Sequence, residues 1–202
     1  MMLTWFARDD TPVLMGARVT LRAPRSSDYT AWRDLRRSSR EFLKPFEPRW
    51  SESDLSSRVF SARLKRGREE VRAGTDYSFF LFVREGADER LVGGITLSNI
   101  RRRAAQFVNL GYWMGQPFAG KGLMTEAVGL VVPFCFDTLG LHRIHAAFLP
   151  DNMASRRVLE KNGFREEGFA EHYLQIDGKW ADHVLFGFTR ERYDAWLRQQ
   201  RR

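Results

Sequence analysis

The chain has 202 residues, a 43% hydrophobic share that includes 16 Phe and 6 Trp, and a net charge of +8. That length and apolar content fit one packed domain and exclude a disordered chain. The lone cysteine, Cys135, excludes an internal disulfide or a cysteine-based zinc cluster and suits the reducing cytoplasm. In chain order, the segment before Gly16 lacks a signal peptide's apolar run, since Arg8, Asp9 and Asp10 interrupt it. Arg18–Arg22 alternates as a first strand. Ser26, Ser27 and Asp28 supply N-cap chemistry for a helix with an apolar stripe of Tyr29, Trp32 and Leu35. Phe42–Pro48 reads as an aromatic loop with two prolines, and a second helix runs from the Ser51/Ser53 region to about Gly67 or Ala73.

From Tyr77 the period changes to two. Tyr77–Arg84, Leu91–Asn99 and Phe107–Met114 read as antiparallel strands, with a turn containing Gly86 between the first pair. Gly93 and Gly94 mark a bulge or a close backbone approach. A helix from Leu123 to about Thr138 is apolar nearly all round, and Pro133 predicts a kink in it. Its apolar run Ala127–Phe136 is far short of the ~20 residues of a membrane span. His142–Leu149 is a fifth strand, Asp151 and Asn152 cap a short helix, and Asn162-Gly163 closes it. Phe164–Ile176 and Lys179–Thr189 pair across Asp177-Gly178, and a basic amphipathic helix over 190–202 finishes the chain. The sum is one α+β domain over 1–202, with its core at about 19–189 and a sheet of about seven strands.

The positive charge has two readings. It attracts an acidic partner such as RNA, a ribosomal surface or a polyanionic cofactor, or it simply solvates the surface. Clusters such as Arg36-Arg37 and Arg101-Arg102-Arg103 are scattered, and no DNA-reading motif accompanies them, so the second reading is the plainer one.

The stretch Gly111–Ala127 (GYWMGQPFAGKGLMTEA) concentrates the chemistry. A strand breaks at Gly115-Gln116-Pro117, turns through Gly120-Lys121-Gly122 and enters a helix, which is the layout of an anion cradle. It fits neither a Walker A loop nor a dinucleotide fingerprint. Together with HRI…PDNMAS…LEKNGF (from His142 to Phe164) and the tail from Glu167 to Phe186, the stretch resembles the GNAT superfamily of N-acetyltransferases. Within it the chain is similar to the ribosomal-protein-alanine N-acetyltransferases of the RimJ/RimL-like group.

The resemblance implies a mixed sheet with helices on both faces, in which the fourth and fifth strands splay around the thioester arm of acetyl-CoA. It implies donor contacts from Tyr112, Trp113 and Met114, and pyrophosphate contacts from Gly120, Lys121, Gly122, Leu123, Met124 and Thr125. Asn152 matches a residue that contacts the cofactor arm, and no metal is implied. Ala119 and Met124 depart from the usual loop, which main-chain binding tolerates. The tyrosine that many members use as acid falls on Leu159, and the proposed base of the RimL-like group falls on Leu174. Ser155 matches that group's proposed acid. Tyr173 is a second candidate donor, while Glu47, Glu126 and Glu167 are candidate bases.

An N-terminal amine with a pKa of ~8 needs only about 1.4 kcal/mol to become neutral at pH 7, against roughly 4.6 for a lysine. A chain without an obvious strong base therefore suits an α-amine. The expected function is acetyl-CoA-dependent acetylation of the N-terminal alanine of a ribosomal protein, in the cytoplasm, with the ribosomal particle as one place where the acceptor is met. A polyamine or aminoglycoside acetyltransferase is one alternative, and a non-catalytic acyl-CoA- or RNA-binding module is another. Oligomeric state is not legible in the sequence.

Overall fold

The computed structural model describes residues 11–85 and 88–200, so the readings on the first ten residues, on Gly86 and on Arg201-Arg202 lie outside the described residues. Its strands are β1 (Leu14–Met15), β2 (Val19–Arg22), β3 (Tyr77–Glu85), β4 (Asp88–Arg101), β5 (Phe107–Met114), β6 (Arg143–Phe148), β7 (Arg165–Ile176) and β8 (Lys179–Thr189). Its helices are α1 (Tyr29–Ser38), α2 (Arg40–Leu43), α3 (Ser57–Ala73), α4 (Leu123–Pro133), α5 (Met153–Lys161) and α6 (Arg190–Gln200). The strands form one sheet in the order β1-β2-β3-β4-β5-β6-β8-β7. The sheet has eight strands rather than seven because Leu14 and Met15 pair with Leu21 and Thr20 outside β2.

The alternation of β3 explains why it is apolar along its length. Phe79 and Leu81 enter the larger core with α4, α5 and α6, whereas Phe80 and Phe82 enter a second core with Trp32 of α1 and Phe60 of α3. A strand covered on both faces needs no polar side. At the β4 glycines both sequence expectations are met. The register slips between Leu81 and Phe82, and a Cβ on Gly93 would lie 2.5 Å from the Trp113 carbonyl oxygen.

Three local expectations change. Asp28 does not cap α1; it accepts the Arg25 amide and both Arg22 guanidinium nitrogens at 2.8 Å, a buried fork that also fixes β2. Pro45 opens a single 3-10 turn, Lys44–Phe46, where a missing N–H costs nothing, so the aromatic loop is partly helical. Ser51 caps a 3-10 turn of its own through a capping box with Asp54, and Ser56 is the cap of α3.

In place of a kinked helix running to about Thr138, regular α-helix ends at Pro133 and the chain widens into a π turn over Phe134–Thr138. The Leu139 amide reaches back five residues to the Phe134 carbonyl at 2.9 Å, the wider bond that defines the π turn. Cys135 sits on this turn, fully buried, and burial pushes its thiol pKa well up. Among the described residues no helix is long and apolar enough to cross a membrane.

Candidate active site

β5 and β6 are the sheet's parallel neighbours, and they pair at three positions only, Phe107↔Arg143 through Asn109↔His145. Beyond that point Leu110–Met114 keeps its β4 partners but has no strand on its other side. The result is an open wedge whose β5 wall presents backbone donors and acceptors, the requirement for holding an extended ligand. This is the splay that the sequence resemblance implies, moved to the fifth and sixth strands by the addition of β1.

The loop from Gly115 to Gly122 crosses the mouth of that wedge, and its entrance is pinned from three sides. The Gly115 amide bonds the Val92 carbonyl at 2.8 Å, and the Gln116 amide bonds Ser39 Oγ at 3.0 Å. A Cβ on Gly115 would meet the Leu35 side chain of α1 at 2.4 Å, so a larger residue there would have to displace Leu35. Gly120 and Gly122 take left-handed φ values of 76° and 75°, and Gly122 is the N-cap of α4 without any side-chain cap. Leu123 and Met124 turn their side chains into the core, which leaves the first-turn amides of α4 as a donor cluster with the helix dipole behind them.

Arg18 keeps this cradle in shape, a role that nothing in the local sequence signalled. Its guanidinium bonds the Lys121 carbonyl at 3.1 Å and the Gly122 carbonyl at 3.4 Å, and its Nε and amide both bond Glu126 at 2.7 Å. Burial of Glu126 opposes ionisation, but these bonds from Arg18 outweigh it and hold the carboxyl below its ordinary pKa. An ion-paired carboxylate of lowered basicity is a poor proton acceptor. Glu126, a sequence candidate for the base, instead belongs to the scaffold of the loop.

Tyr112 and Ser155 meet across the wedge. Asn152 caps α5 by accepting the Ser155 amide at 3.0 Å, and this sets Ser155 Oγ 2.6 Å from the Tyr112 hydroxyl. Burial pushes the Tyr112 pKa up to about 12, with the Ser155 bond working the other way, so the pair keeps a proton throughout the neutral range. Asn152 spends its side-chain oxygen on the cap, and its amide nitrogen has no bond among the described residues. Leu159 is in the core, 1% exposed, so the tyrosine hydroxyl of other members has no counterpart there.

The strand's alternation separates the remaining donor candidates. Tyr112 and Met114 pack on the main core, whereas the Trp113 ring lies on the opposite face, among the residues of the second core. There a groove of about 770 Å³ opens over β3–β5 beneath α1 and α3, and Trp113, Arg36, Glu47 and Trp50 line it. Arg36 forks onto Glu47 at 2.6 Å through both nitrogens, and its guanidinium stands 5.0 Å from the centres of both the Trp50 and Trp113 rings. Trp113 thus joins the two halves, its backbone on the wedge and its ring in the groove.

The structure leaves other sequence candidates elsewhere or engaged. Tyr173 lies in the β7 bulge, 44% exposed, and its hydroxyl makes no hydrogen bond among the described residues. Its ring meets His183 edge-on. Glu167 pairs with Arg143 and with Arg192. Leu174 is exposed and offers no proton acceptor. His142 bonds Glu191 at 2.8 Å, and among the described residues no group of three or more His, Cys, Asp or Glu is placed to hold a metal.

The comparisons agree with this geometry. The acetyltransferase (GNAT) domain model matches residues 18–165. The ribosomal protein uS5-alanine N-acetyltransferase of Escherichia coli is 38% identical over 164 residues, covering 80% of this chain and 84% of the relative. A structure of Mycobacterium smegmatis RimJ in complex with CoA-disulfide superposes with a TM-score of 0.81 at 33% identity, covering 90% of this chain and 87% of that one. The ribosomal-protein-S5-alanine acetyltransferase of Vibrio fischeri gives a TM-score of 0.82 at 29% identity, covering 90% of this chain and 98% of that one. With its glycine cradle, splayed strands and matched domain, the chain belongs to the GNAT family and is an acetyl-CoA-dependent N-acetyltransferase.

Proposed function

We propose that the chain acetylates the N-terminal α-amine of a ribosomal protein, with alanine as the acceptor residue, the substrate class in the names of the E. coli and V. fischeri relatives. The observation that carries the α-amine reading is the state of the carboxylates. Glu47, Glu126 and Glu167, the three candidate bases, are each locked in an ion pair with arginine. A site without a free base favours an amine that is already partly neutral at pH 7.

The residues then divide the work. The amides at Gly120–Thr125 hold the pyrophosphate, the free edge of Leu110–Met114 and the Asn152 amide nitrogen hold the arm, and bound acetyl-CoA supplies a thioester-activated acetyl group. Trp113 and the groove beside it orient the amine on the far side of the sheet. Ser155 Oγ delivers a proton to the departing sulfur and is resupplied by the Tyr112 hydroxyl. Rate enhancement comes mainly from alignment of amine and thioester, with proton donation secondary.

Mass spectrometry of ribosomal protein N-termini with and without the gene tests this reading, and loss of one acetylated alanine N-terminus is the expected result. Turnover on a polyamine or aminoglycoside but on no Ala-starting peptide would move the acceptor to small amines. Acetyl-CoA binding without CoA release on any amine would make the chain a binding module.

The charge of +8 adds where the acceptor is met. A free ribosomal protein is basic and repels the enzyme, whereas ribosomal RNA attracts it, so the encounter takes place on the particle, in the cytoplasm. Cosedimentation with ribosomal particles at low salt, reversed by added salt, is the expected signature; no cosedimentation at low salt overturns it.

A further inference from the structure

Five arginines line the groove beside Trp113 against four carboxylates. Arg36 is matched by Glu47, Arg66 by Glu70 at 3.2 Å, and Arg49 by Asp177 at 3.4 Å. Asp54 is engaged by the Ser51 amide and hydroxyl, and Asp76 by the Asn99 amide. Arg63 lines the same groove, is solvent-exposed, and forms no ion pair among the described residues. Its guanidinium stands 5.5 Å from the centre of the Trp32 ring. Although the residue as a whole is exposed, partial loss of water on the groove side and then the positive charge of Arg36 lower its pKa, with Asp54 and Glu47 working the other way, so the cationic neighbours are only partly offset.

One turn further along α3, Gly67 also lines the groove. A Cβ added there would meet nothing within 4 Å, so packing does not require glycine at this mid-helix position. Glycine inside a helix is destabilising relative to alanine. What its bare backbone does provide is open space beside Arg63.

We infer that Arg63 and the space over Gly67 form an anion subsite of the acceptor groove, which receives the carboxylate of an acidic side chain near the N-terminus of the incoming protein. The inference rests on the acceptor reading of the groove given above. Carboxylate suits the place because the guanidinium is an accessible fork donor, and successive residues of an extended chain advance ~3.4 Å, enough to reach along the groove within a few positions. The aspartate or glutamate selects among chains that share the same terminal amine.

The test uses octapeptides that begin with alanine, uncharged elsewhere, and a set in which one of positions 2–6 is replaced by glutamate. Binding is read by fluorescence anisotropy and acetylation by CoA release. For the full-length protein, glutamate at one position should tighten binding about five-fold relative to the neutral peptide. In Arg63→Gln that ratio should fall to about one, and in Arg63→Glu a lysine at the same position should become the preferred substitution. Gly67→Leu should raise Tm by about 2–4 °C, as a better helix former does in a chain of this size, while weakening peptide binding more than ten-fold. Equal binding of neutral and glutamate peptides at every position overturns the subsite, as does an unchanged preference in Arg63→Gln or full binding by Gly67→Leu. Glutamate-selective binding without CoA release would leave the subsite standing and overturn the acetyl-transfer reading of the groove.

Discussion

The Tyr112 hydroxyl lies 2.6 Å from Ser155 Oγ, across the opening between β5 and the start of α5. If this pair delivers the proton to sulfur, Ser155→Ala should lower kcat by about 100-fold, within the range of general-acid catalysis, with KM for acetyl-CoA changed little. Tyr112→Phe should cost somewhat less, because Ser155 would keep its hydroxyl and lose only its partner. The double variant should be no slower than Ser155→Ala alone, since the two act as one unit. Additive losses would show that the hydroxyls serve separate steps.

The pH profile follows from which groups titrate. With Tyr112 pushed up to about 12 and the candidate carboxylates ion-paired, the rising limb of kcat/KM should report the acceptor's own amine, near ~8. Replacing the N-terminal amine by a lysine-side-chain acceptor should move that limb toward ~10. A limb that stays in one place across acceptors would reveal a base on the enzyme.

The cradle can be tested by its backbone. Gly122 has a φ of 75°, so Gly122→Ala strains the N-cap of α4 by about 1 kcal/mol and tilts the donor amides. KM for acetyl-CoA should rise about ten-fold, with little effect on KM for the peptide.

Glu126→Gln should act on the same loop through Arg18, and its stability effect carries a sign. The folded pKa of Glu126 is lowered, so its contribution is present above the unfolded value and lost as pH falls through the folded one. The Tm gap between wild type and Glu126→Gln should therefore be open at pH 7 and narrow as pH falls below the ordinary carboxylate range.

The hairpin turn offers a test of the groove wall. Asp177 donates its amide to the Glu47 carbonyl at 2.9 Å, and its own carbonyl accepts Arg49 Nη2 at 2.9 Å. The turn thereby grips the segment whose Glu47 holds Arg36 beneath Trp113. Asp177 holds a φ of 44° that proline cannot adopt, so the grip is tested from the other side: Arg49→Ala removes the bond to the Asp177 carbonyl and leaves the turn intact, and peptide KM should rise about two-fold while acetyl-CoA binding, measured by calorimetry, is retained. Equal losses for both substrates would point to a general unfolding of the hairpin.

How much of this was legible depends on the distance over which each feature is encoded. The cradle reads directly from Gly120 and Gly122, because backbone conformation and helix start are set within a few residues. The Asp177-Gly178 turn and the Asn152 cap are legible for the same reason. Arg18 is not, since the loop it braces lies more than a hundred positions away and nothing in RVTLR hints at it. For Glu126 the place in the first turn of α4 was visible, but its partner Arg18 was not, for the same reason. Trp113 could be assigned to a strand, but its face was harder to read: Val108 and Leu110 alternate with Asn109 and Gly111 in the first half of β5, whereas Tyr112, Trp113 and Met114 are apolar on both faces. Gly67 was read only as a possible end of the second helix, and the helix runs on through it to Ala73.

Cys135 on the π turn gives the protein a thiol that no reagent can reach while the fold is closed. Its rate of modification counts the excursions of a single molecule into the open state, so an alkylating reagent becomes a stopwatch for breathing of the sheet–helix layer. Saturating acetyl-CoA should slow that stopwatch, and the factor by which it does so converts directly into the free energy with which the donor holds the fold together.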